Sequence, residues 1–264
     1  MHPRRSYGRW RLLFIPPRTG PENMARDIAL QARAARTDET VFSIYGWSRP
    51  TLSFGRNQPA RELYDREKIR AADIDVVRRP TGGRAILHHR EVTYSVTAPI
   101  DTVSLRETYA SINRILRTGL SRLGVSVEAI PRPQRAPTPG LRSCFVNPGE
   151  GELVARGAKL VGSAQWRDNG ALLQHGSILV DDDQSTLPEL TASTHDTNWS
   201  IPMPATLNAL LGRAPDPAEI ADAMFDAVRA IEDAEASELT EDEVRSEALA
   251  RVPQFLDEGW TWRR

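Results

Sequence analysis

The stretch from residue 153 to residue 180 constrains the fold more than any other. Leu153–Ala155, Lys159–Trp166 and Ala171–Val180 read as extended runs, with Arg156-Gly157 and Asp168-Asn169-Gly170 as the breaks between them. Short glycine-bearing breaks of this kind favour tight antiparallel hairpins, so the segment predicts a three-strand meander and the chain must build a sheet around it. The middle run begins Gly157-Ala158-Lys159-Leu160-Val161-Gly162-Ser163-Ala164-Gln165. Lys159 is one of two lysines in 264 residues, Lys68 being the other; arginine carries the rest of the positive charge. A lysine kept in so arginine-rich a chain points to a place for a compact ammonium, where a planar guanidinium would not fit. The alternative is a surface lysine kept by chance. The small residues beside Lys159 let backbone approach a ligand or another backbone closely.

The rest of the chain surrounds this meander with mixed elements. Residues 10–15 form a short strand, and Pro16-Pro17 to Gly20-Pro21 a loop. Asn23 caps a helix whose apolar positions include Met24, Ile28 and Leu30. Val41–Trp47 reads as a strand, turned at Arg49-Pro50, with Thr51–Gly55 as its antiparallel partner. Pro59 opens a helix to about Ala72, with Leu63 and Ile69 inward. Ile74–Arg79, Arg84–His88 and Val92–Val96 are extended, the first two separated by Pro80-Thr81-Gly82-Gly83. Leu105, Tyr109, Ile112, Leu116, Leu120 and Leu123 make one helical stripe. Residues 130–140 hold four prolines and no periodicity; they read as an exposed or mobile loop that could close over Cys144 as a lid. Helices follow at 217–235 and 241–252. Strands and helices intermix without regular alternation, which predicts an α+β fold with a mixed or antiparallel sheet flanked by helices.

Composition excludes several classes. The formal net charge of -1 gives no global case for nucleic acid binding. A single cysteine forbids an intrachain disulfide, and no Cys/His spacing suits zinc, so no metal is expected. The apolar run Leu12–Ile15 is too short for a secretory h-region, and no run reaches membrane-spanning length. A cytoplasmic protein is expected. On residue type alone, Cys144 is either a small buried residue or a nucleophile needing a cationic neighbour. His88, His89 and His175 lie beside the glycine-rich stretches, as structural residues, as cavity lining or as a catalytic group. Gly82-Gly83 permits positive φ or a bare backbone surface. It has neither dinucleotide nor P-loop spacing. Arg78, Arg79 and Arg84 are a solvated or structural set, or contacts for an acidic partner or a phosphate.

Three stretches together resemble a known family. Arg78-Arg79-Pro80-Thr81-Gly82-Gly83-Arg84-Ala85-Ile86-Leu87-His88 with Thr93-Tyr94-Ser95 looks like a motif of the lipoate–protein ligase, octanoyltransferase and biotin–protein ligase superfamily. The stretch around Lys159 looks like its lysine motif, and Gln174-His175-Gly176-Ser177-Ile178-Leu179 is similar to the segment that follows. The resemblance covers about residues 23–235. Ser143-Cys144-Phe145 ahead of Glu152-Leu153-Val154 is similar to the cysteine-dependent, LipM-type octanoyltransferases of the lipoyl branch. The spacer Val146–Gly151 lacks the aromatic character of that type.

The resemblance implies a catalytic domain of the class II aminoacyl-tRNA synthetase and biotin–lipoyl ligase type. It places an N-terminal extension at 1–22, the catalytic domain at 23–235 and a helical tail at 236–264 packed on it. It implies Cys144 and Lys159 as catalytic residues. It implies substrate contacts at Arg79, Thr81, Gly82, Gly83, His88, Tyr94, Gly162, Ser163, Ala164, Gln165, His175 and Gly176. The implied activity moves an octanoyl or lipoyl group from acyl carrier protein to a lysine of a lipoyl domain or glycine-cleavage H protein, through a cysteine thioester. No cofactor and a monomer are expected. Two alternatives stay open: an ATP- and magnesium-dependent lipoate ligase lacking its accessory domain, and a non-catalytic relative that binds acylated proteins.

Overall fold

The computed structural model describes residues 8–100, 104–130, 151–192 and 202–264. Its strands are β1 (Arg9–Arg18), β2 (Glu39–Trp47), β3 (Thr51–Phe54), β4 (Asp75–Arg78), β5 (Ile86–His88), β6 (Glu91–Pro99), β7 (Glu128–Ala129), β8 (Leu153–Ala155), β9 (Ala158–Asp168), β10 (Ala171–Leu179) and β11 (Ser237–Glu238). Its helices are α1 (Gly20–Ala34), α2 (Arg66–Ala71), α3 (Leu105–Arg122), α4 (Leu207–Leu211), α5 (Pro217–Ile231), α6 (Asp242–Leu249), α7 (Val252–Leu256) and α8 (Glu258–Thr261), with a 3-10 segment at Gln184–Leu190.

The meander forms as its turns dictate. Arg156 and Gly157 have φ of 51° and 80°, and Asn169 and Gly170 have 45° and 80°. Two consecutive left-handed residues match the twist of a two-residue hairpin, and both hairpins close on adjacent register pairs, Ala155 with Ala158 and Asp168 with Ala171. The meander continues into an eight-stranded sheet of order β11-β1-β2-β6-β10-β9-β8-β7. Its β1–β2 and β1–β11 pairs are parallel and the others antiparallel, which makes the sheet mixed. Strands from before residue 23 and after residue 235 both belong to it. A second sheet has the order β4-β3-β5.

Four local expectations change. β1 runs through Pro16-Pro17, because the prolines fall where its register with β2 shifts between Ile15 and Arg18, a place that needs no ladder N–H. α1 is capped by Thr19 in a capping box with Glu22, leaving Asn23 buried and donating to the Gly46 carbonyl at 3.0 Å. β3 does not pair with β2. Both edges of β2 are taken, by β1 and β6, so β3 joins the second sheet, parallel to β4 and antiparallel to β5. The helix expected from Pro59 shortens to α2, because the Asp65 carboxylate caps it by accepting from the backbone of Glu67 and Lys68. The loop expected at 130–140 falls, from residue 131 on, outside the described residues.

Helices cover both faces of the large sheet. On one face Phe42, Ile44, Tyr94, Val96, Leu172 and Ile178 pack against Ile112, Leu116 and Leu120 of α3 and Met224 and Val228 of α5. Each such side chain contributes about 1.5–3 kcal/mol when fully buried. On the other face Leu13, Ile15, Val41 and Tyr45 pack with Met24 and Leu30 of α1, and α6 and α7 lie on α1 in turn. That second face is only partly covered. Where α1 and the second sheet diverge over β10 and β9, a cavity remains.

Candidate active site

The cavity has a volume of about 230 Å³. Its floor is Gly162, Ser163 and Ala164 of β9 with His175, Gly176 and Ser177 of β10. Its walls come from Met24 of α1, from Tyr45 and Trp47 of β2, from Gly83 and Arg84 of the loop between β4 and β5, and from Ile86 and His88 of β5. Thr93 of β6, Glu152 and Arg79 complete the lining. A run of small residues in the floor brings backbone to the surface.

Arg79 builds the glycine loop. It is buried, and its guanidinium donates to the carbonyls of Ser53 at 3.0 Å, Gly82 at 2.9 Å and Arg84 at 2.7 Å. Three carbonyls on one planar fork hold residues 82–84 in one shape. Gly83 has φ of 94°, in the region that favours glycine. Arg78 is likewise buried, not solvated. It donates to the carbonyls of Gly55, Gln58 and Thr261, and burial, with neighbouring arginines, lowers its pKa to about 10.

Two hydroxyl–imidazole–carboxylate chains join the second sheet to the large one. In the first, Thr81 Oγ1 lies 2.6 Å from His175 Nε2, and His175 Nδ1 lies 2.7 Å from Asp27 Oδ2. The same Asp27 oxygen accepts from the Tyr45 hydroxyl at 2.9 Å. In the second, Ser53 Oγ lies 2.9 Å from His88 Nε2, and His88 Nδ1 lies 3.0 Å from Glu91 Oε1. Glu91 also accepts from Thr93 at 2.7 Å and from Ser177. His88 stacks on Trp47 with centroids 3.9 Å apart. Burial lowers its pKa, against the pull of Glu91.

Beneath the floor the Tyr94 hydroxyl is 2.6 Å from Ser163 Oγ and accepts from Gln174 Nε2 at 2.8 Å. Burial raises its pKa to about 12, so it stays a neutral phenol. Gly176 is required here. A Cβ would stand 2.3 Å from the Gly162 carbonyl oxygen and 2.7 Å from the Tyr94 ring. Gln165 reaches Gln174 Oε1 at 2.8 Å. Lys159 is 2% exposed, with Nζ 2.5 Å from Glu152 Oε1.

The expected site residues therefore sort by position. Arg79, Gly83, His88, Gly162, Ser163, Ala164, His175 and Gly176 line the cavity. Thr81, Tyr94 and Lys159 stand one contact behind it, through His175, Ser163 and Glu152. Gln165 sits two contacts further back, through Gln174 and Tyr94, and Gly82 holds its place through its carbonyl on Arg79. Cys144 lies outside the described residues. Sequence reasoning assigned no role to Asp27, Tyr45, Trp47, Ser53, Glu91 or Glu152. Of these, Glu91 carried a local signal, three residues after His88, and Glu152 stood at the head of the Glu152-Leu153-Val154 segment. Among the described residues no group of three His, Cys, Asp or Glu side chains could hold a metal ion, and no helix is long and apolar enough to cross a membrane.

The chain matches the lipoyl protein ligase A/B catalytic domain over residues 19–229. It belongs to that family. Octanoyltransferase LipM of Kyrpidia tusciae is 43% identical to it over 188 residues, which are 67% of this chain and 68% of the relative. Octanoyltransferase LipM of Symbiobacterium thermophilum is 42% identical over 181 residues, 66% of each. The chain thus spans about two thirds of the length of these curated relatives. Among solved structures, the bipartite lipoate protein ligase of Thermoplasma acidophilum, described with its E2 lipoyl domain, aligns with a TM-score of 0.76 and 19% identity, covering 97% of each chain. That likeness establishes the lipoyl-ligase fold for the family member described here.

Proposed function

We propose that this family member is an octanoyltransferase that carries the acyl group as a thioester on Cys144. Octanoyl transfer itself is carried by the LipM relatives at 42–43% identity. The thioester route rests on the chemistry of the residues. Cys144 is the only cysteine, eight residues ahead of Glu152 in the cavity wall. The observation that supports the route best is the Lys159–Glu152 pair, a buried ammonium held at the edge of a cavity whose floor includes Gly162 and Gly176. Near a cation, a thiol favours its thiolate, and the same cation stabilises an oxyanion.

The reaction then balances in two steps. The Cys144 thiolate attacks the carbonyl of an octanoyl thioester; the new C–S bond forms, the donor C–S bond breaks, and the donor sulfur leaves and takes a proton. The neutral amine of an acceptor lysine attacks the acyl-enzyme next. The amide C–N bond forms, the C–S bond breaks, and the amine proton passes to the cysteine sulfur. Both donor and enzyme acyl groups are thioesters, so no ATP, metal or other cofactor is needed. Acyl carrier protein is the proposed donor. A lipoyl domain or H protein is the proposed acceptor, consistent with the lipoyl-domain partner named for the Thermoplasma ligase. A monomer in the cytoplasm is part of the same proposal.

The test is intact mass after mixing with octanoyl-acyl carrier protein, without ATP or acceptor. One octanoyl mass should appear and hydroxylamine should remove it, and Cys144→Ser should abolish it. Full modification of an H protein by Cys144→Ala with ATP and free lipoate would establish the ligase instead. Retention of acylated proteins without any transfer would establish the binding relative.

A further inference from the structure

We propose that Arg84 and Arg56 form an anion site at the mouth of the cavity, and that it takes the phosphate of a phosphopantetheine thioester. The proposal rests on the acyl-transfer reading above, and it names the chemical form in which the acyl group arrives.

Arg84 lines the cavity and is half-buried, yet among the described residues its guanidinium meets no hydrogen-bond acceptor and no carboxylate. Its neighbours in the motif are spent differently: Arg78 and Arg79 are both committed to backbone carbonyls. Arg56 lies on the adjoining loop. Its backbone N–H donates to the Thr81 carbonyl at 2.7 Å. Gly55 approaches the Gly83 carbonyl oxygen so closely that a Cβ would stand 2.0 Å away. The two arginines therefore project from loops in direct contact.

The Arg56 guanidinium stacks 4.0 Å over the Trp166 ring. Trp166 is two residues beyond Ala164 on β9, so it shares Ala164's face and extends the cavity floor. Arg263 stacks on Trp260 at 3.9 Å and its side chain donates to the Arg56 carbonyl. Among the described residues no carboxylate pairs with Arg56, Arg84 or Arg263. The lowered pKa of Arg78, to which Arg263 and Arg264 contribute after burial, reports the same unbalanced positive charge. In a chain of formal net charge -1, this end of the cavity is locally cationic.

An acyl thioester donor supplies a matching group. The pantetheine arm is neutral and flexible, and its phosphate carries its charge. Arginine forks bind phosphate oxygens in pairs, and stacking on an aromatic ring pre-orients the fork. The acyl chain would occupy the histidine- and tryptophan-walled cavity, while the phosphate stays at the cationic rim. The phosphate could come from acyl carrier protein or from coenzyme A.

The experiment titrates the protein with S-methyl-4′-phosphopantetheine and with S-methyl-pantetheine, read by calorimetry and by tryptophan fluorescence. Neither probe can acylate the enzyme, so the readout is independent of Cys144 and of the transfer reaction. The phosphorylated probe should bind at least about tenfold more tightly, the size expected for one charged hydrogen bond. Arg84→Ala and Arg56→Gln should each remove most of that difference, and Arg84→Lys should retain part of it. In transfer assays the KM for octanoyl-acyl carrier protein and for octanoyl-coenzyme A should rise in Arg84→Ala while that for octanoyl-pantetheine holds; whichever phosphorylated donor wild type uses is the source. Equal affinity for the two probes, or an unchanged difference in both variants, overturns the proposal. So does tighter binding of ATP with the same dependence on Arg84, which would assign the site to a nucleotide. Failure of acylation with the probe preference intact would instead count against the cysteine route alone.

Discussion

Asp27 Oδ2 lies 2.7 Å from His175 Nδ1, joining residues 148 positions apart, and both side chains are buried. A carboxylate at Nδ1 places the ring proton there, so a neutral ring leaves Nε2 to accept from the Thr81 hydroxyl 2.6 Å away. The chain of contacts runs from α1 through the floor of the cavity to the glycine loop. Asp27 is in this sense a positioning residue: it orients the imidazole that holds Thr81, and Thr81 opens Gly82-Gly83.

Asp27→Asn should therefore disturb the glycine loop without emptying the core. The amide oxygen in the Oδ2 position can still accept from both His175 and Tyr45, but its NH2 then replaces Oδ1, which is buried without a hydrogen-bond partner among the described residues, and so becomes a buried donor with no acceptor. Unfolding stability should fall by about 1–3 kcal/mol, the usual cost of leaving a buried partner unsatisfied. Acyl transfer should fall with it. Thr81→Val, which removes the hydroxyl and keeps the shape, should cost less stability and still slow transfer. Urea denaturation midpoints beside transfer rates decide the matter; a fully active, fully stable Asp27→Asn protein would show the chain to be incidental.

His88 makes stability depend on pH. Its folded-state pKa is below the ordinary value of 6.5, chiefly because burial disfavours the imidazolium. Above 6.5 the ring is neutral both folded and unfolded, and the contribution is fully present. As pH falls below 6.5 the unfolded chain takes up a proton that the folded one resists, and stability is lost until the folded pKa is passed. The unfolding midpoint should drop between pH 7 and pH 5, and the drop should be shallower in His88→Gln.

Much of the sheet was legible because its signals are local. Asn169-Gly170 and Arg156-Gly157 specify hairpins from two residues each. The destination of Thr51–Phe54 was not legible. Its side chains would be the same in a hairpin with β2 or a pair with β4, and the choice is made by β1 and β6 occupying both edges of β2. The site divides in the same way. Gly83 and Gly176 answer backbone and steric demands that show as glycine in a motif. Asp27 and Ser53 act only through partners brought in by the fold, 148 and 35 residues away for their histidines. Nothing near them in sequence marks the role.

Gly176→Ala should be severe for so small a change. Its Cβ would meet the Gly162 oxygen at 2.3 Å, the Tyr94 ring at 2.7 Å and Ser163 Oγ at 2.9 Å. The Ser163 hydroxyl can rotate away, but the Gly162 backbone oxygen and the buried Tyr94 ring cannot, so β9 and β10 must part. Overpacking of this kind costs about 1–3 kcal/mol. The separation also moves Ser163 and the cavity floor, so transfer should fall further than stability does. A thermal unfolding scan together with a transfer assay at a temperature where the variant remains folded separates the two effects.

Lys159→Arg keeps the charge and should still lose most activity. The Lys159 side chain is 1% exposed and its ammonium meets Glu152 at 2.5 Å in a space fitted to a single point donor. A guanidinium is wider, planar and donates along fixed directions. It would have to push into the floor beside Gly162 or withdraw from Glu152, and a buried carboxylate without its partner is costly, about 3–5 kcal/mol when one member of such a pair is removed. Glu152→Gln tests the other half. If the pair is only a structural staple, the two variants should lose stability and activity in proportion. If the ammonium also acts on the acyl group, Lys159→Arg should lower the rate of acyl-enzyme formation at least about a hundredfold, the effect of removing one oxyanion donor, with Glu152→Gln losing less. Single-turnover acylation by octanoyl-acyl carrier protein measures this directly. A near-normal rate in folded Lys159→Arg would remove Lys159 from the chemistry.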